Sequence, residues 1–193
     1  MALPAAVLPF SRQDFLAWEC EQADKHEYLA GEVFAMSGAS RRHVTVALNC
    51  ASFLSDRLAG SACRTYMADM KLEVEAAEAI FYPDVFVTCD PADYRAEQAM
   101  RAPVLIVEVL SPSTAAFDRG GKFQAYRRLA SLREYVLIDP EARQIELYRL
   151  ELGPQAGIGQ GRWFLIEIAP SQPLTLESIG LVLPWERVFR NLD

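Results

Sequence analysis

Residues 104–110, VLIVEVL, limit what this chain can become more than any other stretch. An apolar, β-branched run of that length reads as a strand buried on both faces, the kind found inside a parallel or mixed sheet. Such strands rarely carry a charge unless it is paired or binds a metal, because an isolated buried carboxylate costs several kcal/mol. Glu108 nevertheless sits inside this one. The fold must supply a partner for it.

The sequence after the run suggests how the chain returns. Ser111-Pro112-Ser113 ends the strand, residues 117–129 read as a helix with Phe123, Tyr126 and Leu129 on one face, and residues 134–139 read as the next strand. Strand, crossover helix and strand make a βαβ unit, so part of the sheet is expected to be parallel, with antiparallel strands on either side. Upstream, Ser11 and Asp14 form a capping pair with Phe10 and Phe15 as a staple, starting a short helix to about residue 20. Residues 27–36 read as a hairpin around Ala30-Gly31. Apolar positions Val44, Ala47, Leu48, Ala51, Leu54 and Leu58 recur at helical spacing and stop at Gly60, which predicts a helix over 40–59. Residues 65–75 alternate as one strand, and a second is expected from about residue 83 to 88; residues 93–101 read as a loop or short helix. Downstream come strands at 145–150 and 163–168, a glycine-rich loop at 152–161 between them, and a short helix at 185–190. The resulting order is α-β-β-β-α-β in a mixed α/β fold, and with no repeat or dividing linker the expectation is one domain over residues 1–193.

Composition narrows the function. With 19 Lys and Arg against 26 Asp and Glu, the net charge of −7 argues against coating nucleic acid by bulk charge, so a polyanion site has to be local. The apolar start MALPAAVLPF lacks a basic region and is broken by prolines, and no stretch has the length of a membrane span. Four scattered cysteines without a CxxC pair read as reduced thiols buried in the core of a cytoplasmic protein.

Asp84 opens the strand preceding that of Glu108, so neighbouring strands could bring the two acids together. Two carboxylates in a low-dielectric site persist only if they share a proton or hold a cation, and oxygen-only ligation suits Mg²⁺ or Mn²⁺. Lys122, with Asp118 one turn before it, starts the crossover helix and is placed to stabilise charge developing on a phosphate. The plainer readings are a polar strand start for Asp84, a salt bridge from Lys122 or Arg119 for Glu108, and core packing for Tyr126. Five basic residues and no acid between Arg119 and Arg133 read either as a solvated helix face or as a local seat for a phosphate backbone.

These residues carry a family resemblance. Asp84, then Glu108-Val109-Leu110-Ser111-Pro112-Ser113-Thr114, then Asp118-Arg119, Lys122 and Tyr126 resemble the Uma-two family, a restriction-endonuclease-like branch of the PD-(D/E)XK nuclease superfamily, over nearly the whole chain. The α-β-β-β-α-β order is also that superfamily's core. The resemblance implies an endonuclease using Mg²⁺ or Mn²⁺ to hydrolyse DNA, with Asp84 and Glu108 as ligands and Lys122 as the catalytic lysine. Leu110 stands where the superfamily's (D/E)-x-K triplet has its lysine, so the lysine is expected to have moved to the helix. By the same resemblance Glu32 is the candidate auxiliary ligand, and Arg41, Arg42, His43 and Arg119 are candidate nucleic-acid contacts. Double-strand cleavage would suit a homodimer. The rival expectations are an inactive module that keeps the fold to bind nucleic acid or protein, and a hydrolase of small phosphoesters.

Overall fold

The computed structural model describes residues 10–153 and 161–193; most of the expected 152–161 loop and nearly all of the apolar N-terminal segment lie outside them. Helix α1 (Arg12–Glu19) begins as expected, with Ser11 and Asp14 closing a capping box and Phe10 against Phe15 at 6.4 Å. Strands β1 (His26–Leu29) and β2 (Glu32–Ala35) form the hairpin, turning at Ala30 (φ 51°) and Gly31 (φ 94°). Helix α2 (Arg41–Leu58) is capped by Ser40.

The next strands differ from expectation. Residues 65–75 are two strands, β3 (Arg64–Met67) and β4 (Lys71–Val74), separated by Ala68 at φ 52°. The strand expected from residue 83 is preceded by a separate one, β5 (Ala79–Phe81), and itself starts at β6 (Val85–Thr88). Both interruptions move the chain from one sheet to another: β3 and β6 belong to a six-stranded sheet, β4 and β5 to a five-stranded one. A left-handed residue at 68 and a proline at 83, which has no N–H to give a ladder, make continuous pairing impossible at those points. Periodicity registers alternation but not a change of partner sheet.

Beyond β7 (Ala99–Met100), β8 (Pro103–Val109) carries the run that opened the sequence. The crossover is helical without a break over residues 115–126, but not regular α-helix throughout. It comprises α3 (Ala115–Phe117), a π turn (Asp118–Lys122) and α4 (Phe123–Tyr126), stopping short of residue 129. Then follow β9 (Glu134–Asp139), β10 (Gln144–Leu152), β11 (Gly161–Ile168), the hairpin β12 (Leu174–Leu176) and β13 (Leu181–Leu183), absent from the sequence expectation, and α5 (Trp185–Val188). The large sheet runs β11-β10-β9-β8-β6-β3, with β8 and β9 parallel and the other neighbours antiparallel, as the βαβ reading requires. The small sheet runs β2-β1-β5-β4-β7.

Both faces of the large sheet are covered. Val85, Val107, Val136 and Ile138 face α2, α5 and the β12–β13 hairpin, whereas Phe86, Ile106, Tyr135 and Leu137 face α4 and the small sheet. Buried Asn49 ties α2 to the C-terminal segment by donating to the carbonyls of Val188 and Arg190. Cys63 and Cys89, flanking the Arg64–Thr88 pair of β3 and β6, are joined by a disulfide. Cys50 is a buried free thiol and Cys20 an exposed one, so the reading of four reduced core cysteines is corrected for three of them. The pairing arises from cross-strand register, to which Cys spacing is blind, and the argument from thiols to a reducing compartment loses those two residues. Among the described residues no helix is long and apolar enough to cross a membrane.

Replacing Asn49 with Ala strands two carbonyls and is expected to lower stability by about 1–3 kcal/mol. The check is a lower urea midpoint at unchanged m-value.

Candidate active site

The crossing from β5 to β6 through Tyr82-Pro83-Asp84 puts Asp84 at the seam between the two sheets. Val85 pairs with Val107, which sets Asp84 beside Glu108 one step along the ladder. The two acids are linked reciprocally: the Val109 N–H donates to Asp84 Oδ2 at 2.7 Å, and the Asp84 N–H donates to Glu108 Oε2 at 3.2 Å. Because alternate residues of β8 face opposite sides, Glu108 projects away from the Val107 core and toward the crossover helix.

The partner demanded by the buried acid is there. Tyr126 Oη and Lys122 Nζ both donate to Glu108 Oε1, at 2.9 and 3.3 Å. Lys122 Nζ also lies 2.9 Å from Glu27 Oε1 and 3.6 Å from Asp118 Oδ1. Burial pushes Glu108 up to about 8; Lys122 opposes that shift, and Asp84, Asp118 and Glu27 add to it. For Lys122 burial acts downward, but the three carboxylates outweigh it and hold the ammonium above its ordinary range. Asp118 is raised, again chiefly by burial.

These groups line a cleft of about 430 Å³, together with His43. The backbone N–H of His43 is capped by Ser40, and its Nε2 lies 3.2 Å from Asp84 Oδ2. Burial lowers the imidazole's affinity for a proton, yet contact with Asp84 leaves it raised overall. Asp84, Glu108, Lys122 and His43 are therefore brought together as expected. Glu32 is not: it is exposed on β2 and absent from the cleft lining. The early acidic residue at the site is Glu27, which the sequence reading missed. The two-residue turn puts Glu27, Leu29, Glu32 and Phe34 on one face of the hairpin; what separates the two acids is position along it, with Glu27 opposite the cleft-lining Phe34 and Glu32 beside the turn.

The expected arginine contacts are engaged elsewhere. Arg41 donates to the Asp193 carbonyl; Arg42 donates to the carbonyls of Leu192 and Pro140 and pairs with Glu141 at 3.1 Å. Arg119 grips Glu146 through Nε and Nη2. Arg128 and Arg133 cap backbone carbonyls, so the basic run is largely absorbed into the fold.

A mixed sheet with an acid pair at the ends of β6 and β8 and a βαβ crossover carrying a lysine is the restriction-endonuclease-like fold. The chain resembles in structure a protein from Anabaena variabilis ATCC 29413 described as a putative nuclease belonging to DUF820, with a TM-score of 0.75, 17% identity, and coverage of 96% of this chain and 100% of that one. Residues 12–180 match the Uma2 family, described as "Putative restriction endonuclease", and the chain belongs to that family. It is 36% identical to the uncharacterized protein slr1290 of Synechocystis sp. (strain ATCC 27184 / PCC 6803 / Kazusa), over 98% of this chain and 96% of that protein. It is 31% identical to sll1609 of the same organism, over 87% and 92% respectively.

An acid whose folded pKa is raised favours the folded state below its unfolded pKa near 4.5, and that contribution is lost as pH rises toward about 8. Without divalent ions, stability should fall across that window by up to about 1.4 kcal/mol per pH unit. Glu108→Gln should flatten the slope, as urea unfolding in EDTA at successive pH values would register.

Proposed function

We propose that this chain is one nuclease domain that hydrolyses phosphodiester bonds of DNA with Mg²⁺ or Mn²⁺, Asp84 and Glu108 holding the ion. The observation that carries the reading is the reciprocal Asp84–Glu108 link in the wall of a cleft whose charge does not balance. Glu27, Asp84, Glu108 and Asp118 face one ammonium, Lys122, and one imidazole, His43. A phosphate entering that cleft meets excess negative charge unless a cation offsets it.

The donor set fits such an ion. Among the described residues no three His, Cys, Asp or Glu side chains are grouped to hold a metal, which does not suit a closed, protein-ligated centre of the zinc kind. Magnesium instead commonly takes one or two carboxylates and completes its shell with water and substrate phosphate oxygens. Glu108 Oε1 is occupied by Tyr126 and Lys122, which leaves Oε2 on the Asp84 side. When bound, the ion would act as a Lewis acid toward the scissile phosphate. The protein's own contribution is positional: Tyr126 and Lys122 fix Glu108, the Val109 N–H fixes Asp84, and Asp118 and Glu27 hold the Lys122 ammonium at the cleft wall. There Lys122 stabilises charge developing on the phosphate as water attacks. His43 orients Asp84 and lies within the cleft to meet a phosphate oxygen. Cleavage of both strands would engage two copies of the chain.

The threefold pairing of Lys122 also favours a second reading, an ion-pair network in a binding module without catalysis. One set of measurements separates the two. Mn²⁺ should raise the melting temperature of the wild type, more at pH 8 than at pH 6 because Glu108 must release its proton to bind the ion. Asp84→Asn should remove both this shift and metal-dependent plasmid nicking. A wild type indifferent to Mn²⁺, or nicking undiminished in Asp84→Asn, would overturn the nuclease reading.

A further inference from the structure

The mouth of the cleft is apolar and aromatic, and it is poor in free cations. Phe34 and Met36, on β2 and just after it, are 43% and 37% exposed although they line the entrance. The Phe117 ring, also in the lining, lies 6.4 Å from that of Phe34, with 38° between their planes. Two features hold Phe117 in place: Phe81 meets it edge-on at 6.2 Å, and Gly121 clears its seat, since a Cβ there would fall 2.4 Å from Phe117 Cε2. The π turn therefore serves the rim as well as the site, presenting Lys122 inward while its glycine makes room for the ring.

Among the described residues, Lys122 and His43 are the only basic side chains in the lining, and both touch carboxylates. Arg41, Arg42 and Arg119 are committed to the C-terminal carbonyls, Glu141 and Glu146. A protein that grips duplex DNA along its backbone typically neutralises about six to ten phosphates with Lys and Arg. The cleft offers nothing of that kind. Its volume of about 430 Å³ suits a ligand of nucleotide size. Exposed aromatic faces beside a phosphodiester site are instead the usual equipment for stacking unpaired bases, which works for any base because each has a π-face. The register supplies the geometry: Phe34 is directly across the hairpin from Glu27, whose carboxylate holds Lys122. A base on the rim thus has its phosphate directed toward the acids.

We infer that Phe34 and Phe117 form a stacking site for an unpaired nucleobase, so that the substrate is single-stranded or locally opened DNA rather than intact duplex. This rests on the phosphodiesterase reading for the position of the scissile phosphate, while the stacking itself is read by binding alone.

The test is fluorescence anisotropy of a fluorescein-labelled 12-nucleotide single strand and its duplex, in Ca²⁺, with wild type, Phe34→Ala and Phe34→Tyr. Phe34 lies exposed on an edge strand, so its substitution spares the core. The single strand should bind at least about tenfold more tightly than the duplex, with a salt dependence corresponding to about two phosphates. Phe34→Ala should weaken single-strand binding by about fivefold or more, and Phe34→Tyr should retain it. Equal or tighter binding of duplex, no binding of either oligonucleotide, or unchanged affinity in Phe34→Ala would overturn the inference. So would an effect of Phe34→Ala confined to oligomeric state by light scattering. Metal-dependent plasmid nicking alongside any of those results would leave the nuclease reading standing. Failure of the Mn²⁺ shift alongside Phe34-dependent single-strand binding would remove the nuclease reading and leave the stacking site.

Discussion

The structure depends on how Glu108 is kept inside the large sheet. A buried carboxylate near the end of β8 is tolerated because Tyr126 and Lys122 donate to one of its oxygens while the Asp84 N–H donates to the other. Without these donors the buried acid would bear its full desolvation cost. That need fixes more than the acid. It requires the crossover segment to lie on the Glu108 face of the sheet and sets the turn of that segment from which Lys122 projects. It also draws Glu27 and Asp118 to the same ammonium. The small sheet is thereby tied to the large one by charge as well as by the apolar contacts around Phe81, Ile106 and Leu137.

The position of the lysine follows from packing. In the superfamily triplet the lysine stands two residues after the acid, on the same strand face. Here that residue is Leu110, which is 4% exposed, belongs to the apolar core with Tyr126 and Leu137, and donates its N–H to Ile138. An ammonium in that place would be buried among aromatic and aliphatic side chains. Supplied from the π turn instead, it lies between three carboxylates and over the Phe81 ring at 5.6 Å. A π turn adds one residue to a helical turn and redirects the side chains after it, which is why such turns recur at functional sites.

What could be read from the sequence divides along physical lines. The βαβ unit was legible because a β-branched apolar run, a crossover and a second run have a strongly preferred geometry. The Asp84–Glu108 pair was legible because an uncompensated charge in a buried strand demands an explanation. Features set by register between distant strands were not. Glu27 rather than Glu32 reaches Lys122 although both lie on one face of the hairpin, because Glu27 stands further from the turn, opposite Phe34, and the Cys63–Cys89 bond exists because β3 and β6 are in step there. The splits at Ala68 and Pro83 were hidden for a related reason: alternation continues across a change of sheet. Arg41, Arg42 and Arg119 show a further limit. A count of basic residues cannot tell that backbone carbonyls and lone glutamates will claim them.

The commitment of those arginines bears on the kind of site the cleft can be. Phosphate binding needs positive charge that remains available after folding, and here the ammonium and imidazole of the cleft are already balanced by acids, with acid to spare. On the proposed reading, positive charge for a substrate phosphate would come from an ion between Asp84 and Glu108, and the remaining grip on the substrate would be apolar. The exposed ring of Phe34, with the partly buried Phe117 ring beside it, is placed to provide it. The charge distribution of the cleft and the composition of its rim are, on this argument, two consequences of one arrangement. The acids collected to hold Lys122 beside Glu108 leave little electrostatic attraction for a backbone, and on that reading recognition would shift to the face of the base.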